Sequence, residues 1–193
     1  MADLDAAAGE CGSAGTILRV VVSAERIARR VDELAASIAQ CYPGGDLVIL
    51  GVMTGSLVFL ADLIRRLPIP LRLSLITACS YDGATTCSNG IKSIGEVSDL
   101  IQGRDVLIVD DIIDSGHTLR ALVGQVARKS VRSVRTCVLL RKVRADVDQP
   151  AADFLGFEIA DEFVVGYGLD YNHLYRNLPD LNTMHCSCRS EGA

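Results

Sequence analysis

Residues 106–118 read VLIVDDIIDSGHT: an apolar run, two adjacent aspartates, and a third aspartate close behind. Three carboxylates so close repel an anion, yet Ser115-Gly116-His117-Thr118 follows at once and opens what the pattern predicts is a helix. The free backbone N–H groups and positive end of a helix start form a natural phosphate cradle. Gly116 permits close approach there, and Ser115 and Thr118 add hydroxyl donors. A sugar lying between phosphate and acids resolves the conflict. Asp110 and Asp111 can accept hydrogen bonds from vicinal hydroxyls, while a Mg²⁺ held by the ligand offsets their charge. Together these residue types suit recognition of a ribose phosphate.

Each part has a plainer use in isolation. Asp114 alone is an ordinary helix cap. Asp110-Asp111 alone matches the acidic, Mg²⁺-binding corner of a receiver domain, although such a domain needs a lone acceptor aspartate and a downstream lysine, not a phosphate loop. Met53-Thr54-Gly55 reads as a glycine turn after a strand. Phe163 can be a core residue and Arg176 a solvated charge. The whole string from Val109 to Thr118 has no bland structural explanation.

The string needs a rigid sheet beneath it. DVLIVD (105–110), LVILGVM (47–53) and SVRTCVLL (133–140) are predicted as buried strands, LRLSLITAC (71–79) as a further strand and IKSIGEV (91–97) as a returning arm. Ile27, Val31, Leu34 and Ile38 recur at helical spacing from Ser23, a plausible N-cap, to about Gln40. LVFLADLIRRL (57–67) predicts a second helix, stopped by Pro68 and Pro70, and Leu119, Leu122, Val123 and Val126 mark one face of a third. Strands apolar throughout, alternating with helices, imply a parallel sheet covered on both faces. Ligands of such sheets bind beyond the carboxyl ends of the strands, where the aspartates lie. Residues 80–90 have no periodicity and read as an exposed, flexible loop. Beyond Pro150, FLGFEI, FVVGYGL and a brief helix near LYRNL predict a smaller appendage folded over the sheet.

With its strand and spacing in view, VDDIIDSGHT resembles the phosphoribosyl-diphosphate-binding motif of the type I phosphoribosyltransferases. LLRK (139–142), DFLGFEI (153–159) and FVVGYGLDYNHLYRNL (163–178) resemble the 6-oxopurine branch, the hypoxanthine-guanine phosphoribosyltransferases. The match runs from about residue 46 to 182. It implies that fold, a central mainly parallel sheet flanked by helices with a small hood: core about 46–140, hood about 142–185 plus N-terminal residues. The implied activity is purine salvage, joining hypoxanthine or guanine to the phosphoribosyl group with Mg²⁺ as cofactor. Xanthine preference, or nucleotide binding without turnover by a regulator of the same fold, are the alternatives.

Residue by residue, the resemblance places Asp110 and Asp111 on the ribose hydroxyls and Ser115, Gly116, His117 and Thr118 on the 5′-phosphate. By the same resemblance Asp114 lies near purine N7, as general base or to keep the proton in place while N9 attacks C1′. Met53-Thr54-Gly55 matches the pyrophosphate loop, where a non-proline cis peptide is typical and lysine is frequent at the position of Thr54; backbone N–H groups are then expected to bind. Ser80-Tyr81 matches the start of a closing lid. Lys142 matches the donor to the 6-oxo group, favoured over Arg141 by its interval from Leu139-Leu140. Phe163 stacks on the base, the Val164 backbone reaches its edge, Asp170 meets the 2-position and helps hold Mg²⁺ through water alongside Asp110 and Asp111, and Arg176 contacts pyrophosphate. A homodimer or homotetramer is implied as well.

Composition sets the outer limits. A chain of 193 residues suits one domain able to bury roughly 70% of its unfolded surface. The formal net charge of −5 does not favour nucleic acid or anionic membrane as a partner. No apolar run approaches the ~18 residues that span a bilayer. The first 16 residues, MADLDAAAGECGSAGT, read as a mobile tail without the basic start or apolar core of a secretory signal, and 17–193 as the single domain. Seven irregularly spaced cysteines suit reduced thiols in a cytoplasmic protein. His185-Cys186-Ser187-Cys188 could be read as a metal tract, with no second ligand pair elsewhere to complete it.

Overall fold

The computed structural model describes residues 16–80, 91–144 and 147–185. Strands β2 (Leu47–Met53), β5 (Asp105–Ile113) and β6 (Ser133–Lys142) are apolar on both faces and form the middle of a six-stranded sheet. With β3 (Leu71–Ser80), β4 (Ile91–Ile94) and β7 (Phe154–Ile159) the order is β4-β3-β2-β5-β6-β7. Five strands run parallel, and β4 is the antiparallel edge.

Side-chain alternation divides the core between the two faces. Leu47, Ile49, Leu107, Val109 and Leu139 pack with α1 (Ala24–Cys41) and α2 (Leu57–Ile64). Val48, Leu50, Val106, Ile108 and Val138 pack with α3 (His117–Ala127). Burial of each such side chain contributes about 1.5–3 kcal/mol, so the centre of the sheet is the rigid base for whatever projects from its carboxyl edge. Ser23 caps α1, its side chain accepting from the Arg26 N–H.

A second sheet, ordered β1-β9-β8, joins β1 (Thr16–Val22), β9 (Leu181–His185) and β8 (Val164–Val165) in antiparallel pairs. Val22, Val164 and Leu181 share the hydrophobic cluster of α1 and α2. Tyr167 donates to Asp62 of α2 at 2.7 Å, and the Ala24 N–H donates to Asp180 at 2.7 Å, tying the small sheet to the core.

Several expectations are revised. FLGFEI is not part of the appendage: as β7 it pairs parallel with β6 and extends the main sheet. FVVGYGL contributes only Val164 and Val165 as strand, because Gly166 and Gly168 carry the chain through turns. Residues 174–178 form turns rather than a brief helix. The second helix ends at Ile64, and the returning arm is strand only to Ile94. Neither β1 nor β9 was predicted. Among the described residues no helix is long and apolar enough to cross a membrane.

Candidate active site

Strand β5 does not stop at its acids. It runs through Asp110 and Asp111 to Ile113, still paired with β6 as far as Ile113 opposite Arg141. The carboxylates therefore sit on a hydrogen-bonded strand rather than on a loop beyond its tip. Asp110 is buried at 6% exposure, and its Oδ1 accepts from the Asp111 N–H at 3.0 Å. Burial, then the charge of Asp111, push the Asp110 carboxyl well above the usual range. Burial also raises Asp111, against hydrogen bonds from Asp110 and from the N–H groups of Asp111 and Ile112 and the charge of Arg176. Two adjacent carboxyls with little local positive charge are suited to hydroxyl donors or a cation.

Met53-Thr54 is a cis peptide bond. The next residue must be glycine for a local reason: a Cβ on Gly55 would lie 1.7 Å from Asp111 Oδ2. Gly168, at φ +102°, in turn approaches Gly55 so closely that a Cβ there would lie 2.3 Å from the Gly55 carbonyl oxygen. Arg176 donates to the Gly168 carbonyl at 2.6 Å and pairs with Asp170 at 2.7 Å. The other Asp170 oxygen accepts from the His173 N–H at 2.8 Å. Contacts thus run from Asp111 through Gly55 and Gly168 to Arg176 and Asp170, bringing the β2 turn and the distant tail together. Arg176 is no solvated surface charge.

Asp114 is not the helix cap. That position belongs to Gly116 at φ +78°, a left-handed conformation where Pro150 also leaves no room: a Cβ would lie 2.2 Å from its Cδ. Ser115 and Thr118 are partly exposed and His117 is exposed, at the open start of α3. Gln149 donates to the Asp114 carbonyl. The Asp114 carboxylate instead meets two cations, Lys142 Nζ at 3.1 Å and Arg144 Nη1 at 2.7 Å. Burial raises this carboxyl, but Lys142 and Arg144 outweigh it and hold it below the ordinary range. Lys142 also lies 3.5 Å from Asp161, as does Arg144 at 3.4 Å. Arg141, on the other face, pairs with Glu158 and does not compete with Lys142.

Phe163 is 43% exposed and so is no core residue; its ring meets Tyr171 edge to face at 5.7 Å. The Met184 N–H donates to its carbonyl at 3.0 Å, and the buried Val164 pairs with Thr183 in the small sheet. Ser80 is the last residue of β3, while Tyr81 and the loop to residue 90 lie outside the described residues. Cys186 and Cys188 likewise lie outside them. Among the described residues no three His, Cys, Asp or Glu side chains come together as a metal-holding group.

Three participants escaped the sequence reading: Arg144, Asp161 and Gly168. Arg144 had a usable signal, since residues two apart in extended chain share a side with each other. Lys142 and Arg144 have that spacing. Asp161 and Gly168 had none, because their partners lie far away in sequence.

Paired carboxyls suit sugar hydroxyls, a helix start suits a phosphate, and the Lys142–Asp114 pair sets a donor beside an acceptor. Comparison with known proteins agrees. The phosphoribosyl transferase domain family matches residues 21–172. A hypoxanthine-guanine phosphoribosyltransferase of Bacillus subtilis is 39% identical over 168 residues, covering 87% of this chain and 93% of the relative. One from Mycobacterium avium is 38% identical over 176 residues, covering 88% and 87%. The crystal structure of a hypoxanthine phosphoribosyltransferase from Staphylococcus aureus superposes with a TM-score of 0.77 at 35% identity, covering 88% of this chain and 92% of that one. A strand carrying one buried and one half-buried acid, an open helix start just beyond it, and relatives matched over most of their length lead to one conclusion: the chain belongs to the phosphoribosyltransferase family, in its hypoxanthine-guanine branch.

Proposed function

We propose that the chain transfers the 5-phosphoribosyl group from phosphoribosyl diphosphate to N9 of hypoxanthine or guanine, releasing pyrophosphate and leaving IMP or GMP. The observation that carries this is the donor–acceptor pair formed by Lys142 Nζ and Asp114 Oδ2, 3.1 Å apart at the carboxyl edge of the sheet. A 6-oxopurine presents O6 beside N7, whereas adenine presents an amino donor in place of O6. Lys142 donates to O6 and would face a second donor on adenine. Asp114, ionised at neutral pH, takes the proton from N7 as N9 bonds to C1′ and the bond from C1′ to pyrophosphate oxygen breaks.

The remaining roles are those the family resemblance implies. Asp110 and Asp111 accept from the ribose hydroxyls. The N–H groups and hydroxyls of Ser115, Gly116, His117 and Thr118 hold the 5′-phosphate. The backbone at Thr54 and Gly55 and the Arg176 side chain take the pyrophosphate, and Phe163 stacks on the base with the Val164 backbone at its edge. Ser80 and Tyr81 begin a lid that excludes water from the cation-like centre. The paired carboxyls Asp110 and Asp111 fit a Mg²⁺ held mainly by substrate oxygens, the usual arrangement for that ion. Asp170 fits an outer role through water, because both its oxygens already accept hydrogen bonds. The chemistry a bound Mg²⁺ supplies here is neutralisation of pyrophosphate charge.

On this reading the small sheet, which begins at Thr16 and not after it as the expected tail boundary has it, is the hood over the base, and the protein works in the cytoplasm as a homodimer or homotetramer. Steady-state kcat/KM with hypoxanthine, guanine, xanthine and adenine in the presence of Mg²⁺ tests it. The 6-oxopurines are expected to exceed adenine by roughly 10²-fold or more, since adenine would leave Lys142 against a like donor. No turnover of any 6-oxopurine would refute the reading.

A further inference from the structure

Arg144 and Asp161 complete the charge pattern around the two groups that meet the base. Arg144 lies 2.7 Å from Asp114 Oδ1 and 3.4 Å from Asp161 Oδ2. Lys142 lies 3.1 Å from Asp114 Oδ2 and 3.5 Å from Asp161 Oδ1. The four side chains make a ring of alternating charge in which each cation touches both acids.

We propose that Arg144 and Asp161 are positioning residues for the purine, presenting Asp114 Oδ2 and Lys142 Nζ side by side as one acceptor–donor pair. This rests on the reading of Asp114 and Lys142 given above. A free carboxylate turns about its Cβ–Cγ bond and offers either oxygen, and a lysine stem samples many rotamers. Arg144 occupies Oδ1, so Oδ2 is the oxygen that faces Lys142. Asp161 restrains the ammonium from the other side. When a base enters, only the Lys142–Asp114 edge of the ring has to open. Asp114 then keeps Arg144 and Lys142 keeps Asp161, so no charge is left unpaired in a partly buried place. Without the outer pair, opening that edge would separate two ions from their only close partners in the ring.

Among the described residues the charged groups at Asp114 are Lys142 and Arg144 in direct contact, with Asp161 behind them, while Asp110 and Asp111 lie on β5, which ends one residue before it. Both cations favour the ionised carboxylate. Loss of Arg144 therefore moves the acid limb of activity to higher pH, and loss of the Asp161 charge moves it to lower pH.

The test uses the full chain with hypoxanthine, phosphoribosyl diphosphate and Mg²⁺. Arg144→Gln is expected to raise KM for the base roughly ten- to a hundredfold, the range for a lost charged hydrogen bond. KM for phosphoribosyl diphosphate should stay unchanged and the acid limb of kcat/KM should shift upward. Arg144→Lys keeps the charge but lacks the fork that spans two carboxylates. It should restore the acid limb while leaving KM for the base high. Asp161→Asn should also raise KM for the base, with the limb shifting the other way. Wild-type base KM and acid limb in Arg144→Gln overturn the proposal, as does a parallel rise in KM for both substrates. If Arg144→Gln does not fold, Arg144→Lys and Asp161→Asn decide by the same criteria. Wild-type protein inactive on every 6-oxopurine overturns the underlying reading and this proposal with it, whereas normal wild-type turnover with unaltered variants removes this proposal alone.

Discussion

Gly55→Ala isolates the pyrophosphate end of the site with a single methyl group. The added Cβ would stand 1.7 Å from Asp111 Oδ2 and 2.6 Å from its Cγ, where real contacts stay beyond 3.0 Å. Oδ2 must then retreat by at least 1.3 Å, the difference between 3.0 and 1.7 Å. The side chain can do this by turning about its Cα–Cβ bond, which carries Cγ away as well, at a stability cost of about 1–3 kcal/mol, the range for overpacking. The movement takes Asp111 from the place where it is proposed to meet the ribose. Misplacement by about 1 Å costs roughly 10²-fold in rate, or about 2.7 kcal/mol of transition-state stabilisation. The expected outcome is therefore a folded protein with kcat/KM for phosphoribosyl diphosphate down roughly 10²-fold. The assay varies phosphoribosyl diphosphate at saturating hypoxanthine, with a thermal unfolding curve alongside. A folded variant with wild-type kcat/KM would show that Asp111 need not hold its observed position, and the ribose assignment would fall.

The other expectations are simpler. Asp114→Asn should lower kcat by roughly 10²-fold or more, the range for a general base; an unchanged rate in a single-turnover assay would remove Asp114 from proton transfer. Because the folded Asp114 carboxyl lies below its unfolded value, the stability it draws from Lys142 and Arg144 is present above the unfolded value, near pH 4, and is lost as pH falls through the folded one. Acid unfolding of Asp114→Asn should accordingly be less steep than that of the wild type. Asp110 is the reverse case: burial and Asp111 raise it, so its ionised form destabilises the ligand-free protein as pH climbs. Asp110→Asn should raise Tm at neutral pH, by about 2–4 °C for each kcal/mol relieved, while weakening phosphoribosyl diphosphate binding in calorimetry. Phe163→Ala, at a ring 43% exposed, should barely move Tm yet raise KM for the base by roughly 10-fold or more through lost stacking.

The centre of the sheet was legible in the chain because β2, β5 and β6 are buried on both faces, and such strands announce themselves as short, continuous apolar runs between turns. Strand β2 falls at Leu47–Met53 as expected, and α1 starts one residue after its predicted Ser23 cap. The acid-bearing strand and helix start of VDDIIDSGHT were equally legible, since they are consecutive in the chain. The small sheet was not. Strands β1 and β9 carry partly polar sequences and pair with each other across more than 140 residues, while the other neighbour of β9, β8, is only two residues long, so no local pattern marks them. The placement of FLGFEI in the main sheet has the same cause, for an edge strand and an appendage strand look alike until a partner is known.

The sequence by itself thus determined the parallel sheet, the acidic strand, the phosphate-ready helix start and the 6-oxopurine resemblance, all readable within single segments. Tertiary structure alone decided that Asp114 faces Lys142 and Arg144 instead of capping α3, and that Asp111, Gly55, Gly168 and Arg176 form one line of contact. Those pairings join residues 28 or more positions apart, apart from the eight between Gly168 and Arg176. Charge partnership over such separations depends on which strands lie side by side, and strand order is a property of the folded sheet as a whole.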